Sequence, residues 1–251
     1  MIAHKVIPGE KHFRWRAGEI TRLEGFTDAV FAFAVTLLVV SLEVPKTFAE
    51  LVVAMKGFAA FTTCFAILIW AWYHHYIFSR RYGLQTSYTI FLNSALLFVV
   101  LFYVYPLKFL FSLFVGALSG GLLAPPHMEE MIQASQVPTL MIIYSLGFAA
   151  VFGVFAMLYH YAYSKRKELD LNDYESLVTR HAIVGHVGTA ILGLAIGATA
   201  LLLPVRYAGL SGYLYCLVGV YHTIIGTAFG KAETKVLQRL QTEAVQTSSP
   251  N

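Results

Sequence analysis

Long, uninterrupted apolar runs constrain the fold of this chain more than any other feature of its sequence. The run SALLFVVLFYVYPLKFLFSLFVGAL, residues 94–118, carries a single charged side chain. A helix needs about 20 mostly apolar residues to cross the hydrocarbon core of a bilayer. The sequence therefore predicts an all-α, polytopic membrane protein. Its apolar runs predict six transmembrane helices, at residues 22–44, 52–78, 87–114, 138–163, 181–204 and 208–229.

The composition supports this fold class and leaves little chain for a soluble domain. Of the 251 residues, 57% are hydrophobic and 13% are charged, whereas soluble domains average about 45–50% apolar and about 25% charged residues. A transmembrane β-barrel would show short stretches of alternating apolar and polar residues, but these runs are continuously apolar. We therefore divide the chain into a six-span transmembrane domain, residues 1–230, and a short cytoplasmic tail, residues 231–251.

The distribution of lysine and arginine predicts the orientation in the membrane, because cytoplasmic flanks collect these residues. With the N-terminus inside, only Lys46, Lys56, Lys108 and Arg206 fall away from the inner flanks. The inner flanks contain Lys5, Lys11, Arg14, Arg16, Arg22, Arg80, Arg81, Lys165, Arg166, Lys167, Arg180, Lys231, Lys235 and Arg239. The sequence thus predicts a multi-pass protein of the cell membrane with both termini in the cytoplasm. This topology accounts for the net charge of +4 without a nucleic-acid partner.

The first predicted span begins with charged residues. Thr21 is followed three residues later by Glu24, which is the spacing of a capping box at a helix N-terminus. Asp28 comes one turn further on, still near the positive end of the helix dipole. A carboxylate inside a span normally faces protein or water and finds a partner. Two roles for Asp28 stay open: it holds this helix against its neighbours, or it relays protons or binds cations.

The periodicity of the same helix defines one face. At about 100° per residue, positions separated by sums of three and four lie on one side of a helix. Asp28 lies about 120° from the centre of this side. The residues that share the face are Arg22, Phe26, Ala29, Phe33, Thr36, Leu37 and Val40.

The stretch LIWAWYHHYIFSRR, residues 68–81, offers partners for these charged residues. Trp72, His74 and His75 are predicted near the same membrane surface as Arg22 and Asp28. Adjacent histidines point to different sides of a helix, so we expect at most one of the pair to face the bundle. We predict a hydrogen-bonded network of Arg22, Asp28, Trp72 and one histidine that holds the first helix to the second.

These two helices resemble a known family. The stretch RLEGFTDAVFAFAVTLLVV matches the signature R-x-x-x-F-[ST]-D of the transmembrane protein 175 family of potassium channels, best known from endosomal and lysosomal membranes. Arg22, Phe26, Thr27 and Asp28 fill its fixed positions. The second helix resembles the family in its tryptophan, its histidine pair and the phenylalanine that follows; beyond these helices the resemblance is one of span number and length. The chain is identified as a prokaryotic member of this family.

The resemblance implies a homotetrameric, potassium-permeable cation channel with the first helix of each subunit lining the pore. The family has no carbonyl filter of the T-V-G-Y-G type, and none is present here; apolar rings constrict its pore beside a threonine layer. Carried over by position, the constriction falls at Phe33, Leu37 and Val40, and the selectivity layer at Thr36. Family members usually have isoleucine or leucine in place of Phe33, so the family's selectivity does not follow automatically. Glu43, at the outer end, is a candidate for a carboxylate ring at the pore mouth.

Other functional classes fit the sequence less well. A membrane desaturase or hydroxylase needs clustered histidines that hold metal, but those of the later spans are scattered. They are His160, His181, His186 and His222. We predict no enzymatic activity, no metal site and no cofactor; potassium or other monovalent cations are expected in the pore, with lipid and further copies of the chain as partners. The alternative is a proton- or cation-coupled transporter that uses Asp28 and a second-helix histidine.

Overall fold

The structure is a computed structural model that describes residues 12–40 and 44–248; for Val40, Gln241 and residues 243–248 it describes the backbone alone. Every regular element in this part of the chain is helical, which confirms the all-α fold class. Two 3-10 segments, Ala134–Gln136 and Val205–Tyr215, precede longer helices. The α-helices are α1 Arg22–Val40, α2 Phe48–Lys56, α3 Phe58–Tyr82, α4 Ser87–Leu118, α5 Met128–Met131, α6 Val137–Ser164, α7 Asp173–Leu202 and α8 Cys216–Ser248.

Four helical stretches are long and apolar enough to cross a membrane. They are α4, Ala134–Ser164, α7 and Val205–Leu240. The pair α2 and α3 becomes a fifth if it is taken as one bent span. The described residues therefore supply four or five candidate spans where the sequence predicts six. The first predicted span corresponds to α1, which has 19 residues and is about 29 Å long at about 1.5 Å per residue.

The second predicted span, 52–78, is broken at Gly57, where α2 and α3 meet at 43°. The N–H of Gly57 donates to the carbonyl of Ala54 at 3.1 Å, a tighter turn than the α-helical i→i−4 bond. A Cβ at this position would lie 3.3 Å from the same oxygen. The apolar run continues through the glycine, which is why the sequence predicts one span.

Two tyrosines fix α4 against α6. The hydroxyl of Tyr103 donates to the carbonyl of Ile143 at 2.9 Å, and the hydroxyl of Tyr144 donates to the carbonyl of Pro106. α4 is helical on both sides of this proline. Proline has no backbone N–H, and in a membrane neighbouring groups can compensate for the hydrogen bond that is lost. A Cβ on Gly147 would lie 2.1 Å from the Tyr103 ring, so the helices approach closely only because this residue is glycine.

The core lies where α1, α3, α4 and α6 meet. Phe31, Ala34 and Leu38 are the side chains of α1 in it, with exposed fractions of 3%, 0% and 1%. Lipid tails are as apolar as leucine, so close packing rather than exclusion of water holds such helices together. The other three helices contribute Cys64, Leu68, Phe78, Leu92, Leu96, Phe155 and Leu158, among others.

Polar contacts join α8 to α7. The hydroxyl of Tyr221 donates to the carbonyl of Val184 at 2.6 Å, and Nε2 of His222 lies 2.9 Å from the hydroxyl of Thr189. A Cβ on Gly188 would lie 2.0 Å from the Tyr221 hydroxyl, so a small residue is required at this crossing. α8 continues past residue 230 to Ser248, and the predicted boundary between domain and tail therefore lies inside a helix.

Candidate functional site

The first turn of α1 is closed by the predicted capping box. The N–H of Glu24 donates to the Thr21 hydroxyl oxygen at 3.1 Å, and the N–H of Thr21 donates to the Glu24 carboxylate at 2.8 Å. This pattern is read directly from the sequence because all its atoms lie within one turn. The start of the helix is therefore fixed locally, before any tertiary contact.

Asp28 is bonded to α3. Nε1 of Trp72 donates to the Asp28 carboxylate at 2.8 Å, as the sequence predicts. Arg22 is exposed, and it has no hydrogen bond or ion pair to another residue of the described chain. The predicted four-member network is thus reduced to one direct contact between α1 and α3 within a subunit.

The two adjacent histidines of α3 lie against different helices. His75 is 1% exposed, and its Nε2 donates to the amide oxygen of Asn93 on α4 at 2.9 Å. Nδ1 of His74 donates to the carbonyl of Trp70 at 2.9 Å, and its ring lies 6.1 Å from that of His186 on α7. The expectation that at most one histidine faces the bundle is wrong, because α3 has neighbours on both of these sides.

Two polar contacts of this region, those of Asn93 with His75 and of Glu24 with Arg80, are missing from the sequence prediction. Asn93 is 2% exposed, and the signal for it is a lone amide in the apolar stretch SYTIFLNSALLF. Glu24 is 8% exposed, and its carboxylate lies 3.9 Å from Nε of Arg80 at the end of α3. The pairing of Glu24 with Arg80 has no signal in the sequence, because the two residues meet only when α1 packs on α3.

The face of α1 that carries the predicted constriction is largely uncovered within the subunit. Phe33 is 56% exposed, Thr36 is exposed and Leu37 is half-buried. Val40 lies in the last turn of α1, and only its backbone is described. Glu43, the candidate for the outer mouth, lies outside the described residues.

The hydroxyl of Thr36 has a defined orientation. It donates its hydrogen to the carbonyl of Phe33 at 2.7 Å. A threonine hydroxyl has one donor and two acceptor lone pairs, so this bond leaves the oxygen of Thr36 available as an acceptor on an exposed face. The arrangement suits contact with a cation or with the water around it.

The histidines of the later helices fall in two places: His160 lies apart, whereas His181, His186 and His222 line one pocket with His74 of α3. His160 is exposed and lines a cavity of about 480 Å³ beside α4, α6 and α7. Nδ1 of His181 lies 3.0 Å from the carboxylate of Glu233, and His222 contacts Thr189. Within the described residues there is no group of three or more His, Cys, Asp or Glu side chains arranged to hold a metal ion.

The transporter alternative requires a direct connection between Asp28 and a histidine of α3. Asp28 is bonded to Trp72, whereas His75 is bonded to Asn93 and His74 to a backbone carbonyl. No hydrogen bond between Asp28 and either histidine occurs in the described part of the chain. The geometry accordingly favours a role for Asp28 in holding α1 to α3.

The chain is similar in sequence to known channel proteins. A family model described as the endosomal/lysosomal potassium channel TMEM175 matches residues 22–103. A potassium channel of Marivirga tractuosa is 39% identical over 244 residues, which cover 94% of this chain and 98% of that protein. A potassium channel of Chamaesiphon minutus is 36% identical over 98 residues, which cover 35% of this chain and 47% of that protein.

Solved structures share the fold. The crystal structure of a threonine-to-alanine variant of the potassium channel MtTMEM175, bound to a nanobody–MBP fusion protein, matches with a TM-score of 0.75 and 38% identity. The match covers 90% of this chain and 98% of that one. The crystal structure of a homologue, from Chamaesiphon minutus, of the lysosomal potassium-selective channel TMEM175 matches with a TM-score of 0.53 and 24% identity. This match covers 81% of this chain and 95% of that one and is a likeness of fold alone.

Proposed function

The chain belongs to the TMEM175 family, and from this membership we propose that it is a potassium-permeable cation channel with a pore lined by α1. The same membership confirms that the chain is not an enzyme, because the related proteins are channels. The proposed assembly is a homotetramer with four α1 helices around a central axis. A symmetric ring of subunits creates a shared path on its axis that a single helical bundle lacks.

The uncovered face of α1 is the observation that carries this proposal. The side of α1 with Phe31 and Leu38 is packed into the subunit, whereas Phe33 and Thr36 on the other side are exposed. Four copies arranged around an axis would bring these uncovered faces together. The face predicted from helical periodicity would then be the wall of the pore.

The proposed constriction consists of apolar rings with one polar layer. Phe33, Leu37 and Val40 from each subunit would narrow the pore, and such rings can gate by excluding water. Thr36, between two of these rings, would present its oxygen acceptors to a partly dehydrated cation. Its bond to the carbonyl of Phe33 would keep the hydroxyl hydrogen away from the ion.

We propose six spans, with α1 and the bent pair of α2 and α3 added to the four long helices. At about 29 Å, α1 is close to the hydrocarbon thickness of about 30 Å. Arg16, Arg80 and Glu175 meet at one end of the bundle, where the basic residues predicted for the inner flanks accumulate. This end would face the cytoplasm, with both termini on that side of the cell membrane.

Recording from purified protein in planar bilayers, under opposed potassium and sodium gradients, tests the channel. We expect a current that needs no second gradient and reverses toward the potassium equilibrium potential. Phe33→Ala should increase the single-channel conductance, because it replaces the largest side chains of the proposed constriction by small ones and so widens the pore. Phe98→Ala is the matched control: Phe98 is a 70% exposed phenylalanine on α4, and its replacement should leave conductance unchanged.

Two results would contradict the proposal. If tetramers that are verified by mass pass no current, the protein is not a channel. Flux that depends on a proton gradient would instead support the coupled transporter.

A further inference from the structure

We propose that residues 12–20 form a strap that positions the N-terminal end of α1, with Glu175 of α7 as its anchor. The strap is the segment that leads directly into Thr21 and α1. This inference rests on the proposed role of α1 as the pore helix, because the orientation of α1 decides which of its faces meets the axis. It adds a positioning role for residues outside the family signature.

The anchor is a fully buried carboxylate. Glu175 is 0% exposed, and a buried charge of this kind is costly unless it is paired and hydrogen-bonded. Nη2 of Arg14 donates to it at 2.9 Å and Nη2 of Arg16 at 2.7 Å. The backbone N–H of Arg14 donates to its other oxygen at 2.8 Å. Both guanidinium partners of Glu175 therefore come from the strap.

Glu175 also belongs to the start of α7. Its carboxylate receives the N–H of Asn172 at 3.1 Å, and its own N–H donates to the Asn172 side chain at 2.8 Å. This capping box fixes the carboxylate to the first turn of the helix. A guanidinium is always charged in a protein, and the bond with Glu175 raises the pKa of Arg14 further. The strap is thereby tied to the end of α7 by a permanent ion pair.

The backbone of the strap is bonded to the end of α3. The N–H groups of Arg16 and Ala17 both donate to the carbonyl of Arg80, at 3.1 and 3.3 Å. Gly83, which follows α3, has φ +59, and a Cβ there would lie 3.2 to 3.3 Å from backbone atoms of Arg16 and Ala17. Only glycine fits both the left-handed conformation and this approach. Two features therefore fix the strap on α3: the hydrogen bonds to the carbonyl of Arg80 and the glycine at position 83.

Side chains of the strap fill gaps at the same end. Phe13 is 2% exposed and packs edge-on against the ring of Tyr82 at 5.8 Å. Trp15 packs edge-on against Tyr76 at 6.3 Å, and the guanidinium of Arg80 lies over both of these rings, 5.8 and 5.5 Å from their centroids. An exposed tail would not bury aromatic side chains in this way.

The strap reaches α1 with little slack. From Ala17 to Thr21 the chain can extend over at most about 14 Å. Arg80 accepts the strap with its carbonyl and lies with its guanidinium 3.9 Å from Glu24 in the first turn of α1. Together with the bond from Trp72 to Asp28, these contacts hold the first two turns of α1 against α3. The rotation of α1 about its axis, and hence the direction of its uncovered face, follows from them.

The experiment is hydrogen–deuterium exchange of full-length Glu175→Gln in lipid nanodiscs. Glutamine keeps the capping box but cannot form the charged pairs with Arg14 and Arg16. We expect the amides of residues 14–28 to exchange about tenfold faster or more, since local opening sets their rate and the lost bonds are charge-assisted. The amides of α4 and α6 should not change.

Asp170→Asn is the matched control. Asp170 bonds Arg14 at 3.1 Å from a side chain that is 91% exposed. Exposed ion pairs contribute little, and asparagine tolerates the positive φ of 47 at this position. Exchange in this variant should match that of the wild type.

Two outcomes would overturn the inference. One is faster exchange confined to residues 14–17 with α1 unchanged, since the strap would then not hold α1. The other is unchanged exchange in both segments. If Glu175→Gln fails to fold, the double variant Arg14→Gln and Glu175→Gln, which removes charge from both sides of the contact, decides by the same criteria.

Bilayer recording separates this inference from the channel proposal. If the wild-type protein passes no current, the channel proposal is wrong, but the hydrogen–deuterium exchange result for the strap still stands. If current is present, Glu175→Gln should change the open probability and leave the reversal potential in place, because the strap acts on the orientation of α1 and touches no permeating ion. A shifted reversal potential with unchanged open probability would count against the strap.

Discussion

The two faces of α1 have similar chemistry and different neighbours. Phe31 and Leu38 are 3% and 1% exposed against α3, α4 and α6, whereas Phe33 is 56% exposed. Both faces are apolar, so hydropathy alone does not separate them. In a membrane, tight packing on one face stabilises the subunit, and a bare face is free to meet lipid or another subunit. The face that packs into the subunit and the face proposed to line the pore are thus on opposite sides of α1, and substitutions on each face test this comparison.

The largest effect on stability is expected from the packed face. Leu38→Ala should lower the free energy of unfolding by about 2 kcal/mol, which is the low end of the range for a buried leucine. The effect is small because a leucine that leaves the core of this protein is exposed to lipid, which is as apolar as leucine, and not to water. Unfolding during heating can be followed with a thiol dye, because Cys64 is buried and reacts only when the protein opens. The exposed Cys216 is replaced by serine so that only Cys64 contributes to the signal. Val39→Ala, at a 47% exposed position, is the control. Equal melting temperatures for the two variants would contradict the comparison.

An intermediate effect is expected at Asp28, beside the two faces. Asp28→Ala removes the acceptor of the Trp72 bond and should cost about 1 kcal/mol, less than a buried charged bond because the carboxylate is exposed in the subunit. Assembly and expression should suffer more than selectivity. A cycle with Trp72→Phe and the double variant isolates the contact. Strictly additive losses would show that the bond contributes nothing to holding α1.

The smallest effect on stability is expected from a substitution on the uncovered face of α1. Thr36→Ala removes an exposed hydroxyl bonded to the backbone of its own helix, so the free energy of unfolding should stay within about 0.5 kcal/mol of the wild type. The reversal potential between potassium and sodium should nevertheless shift, with the tetramer intact by mass. Wild-type selectivity in Thr36→Ala would remove this residue from the selectivity layer.

The elements predicted correctly are those in which local sequence decides the structure. The capping box of Thr21 and Glu24 closes within one turn, and the grouping of Phe33 with Thr36 follows from helical periodicity. The contact of Trp72 with Asp28 is the exception, because it joins two helices; the sequence predicts it since both residues lie near the same end of consecutive predicted spans. The constriction itself, and the role of Glu43 at the outer mouth, stay predictions.

The misses have the opposite character. Glu24 meets Arg80, and His75 meets Asn93, only after separate helices pack. The sequence does not predict the break at Gly57, because the apolar run continues through this residue. The sequence predicts that at most one of the two adjacent histidines faces the bundle. α3 has neighbours on two sides, however, so that His75 bonds Asn93 and the ring of His74 lies beside that of His186.

By itself the sequence determined the helical fold class, the family signature on α1 and the face that carries Phe33 and Thr36. These follow from apolar run length and a period of about 3.6 residues, which are properties of single helices. The tertiary structure alone decided which face of α1 is buried and how Arg14 and Arg16 reach Glu175. Two apolar faces of a helix are equivalent until neighbouring helices pack against one of them, and partners more than 150 residues apart meet only in the folded chain.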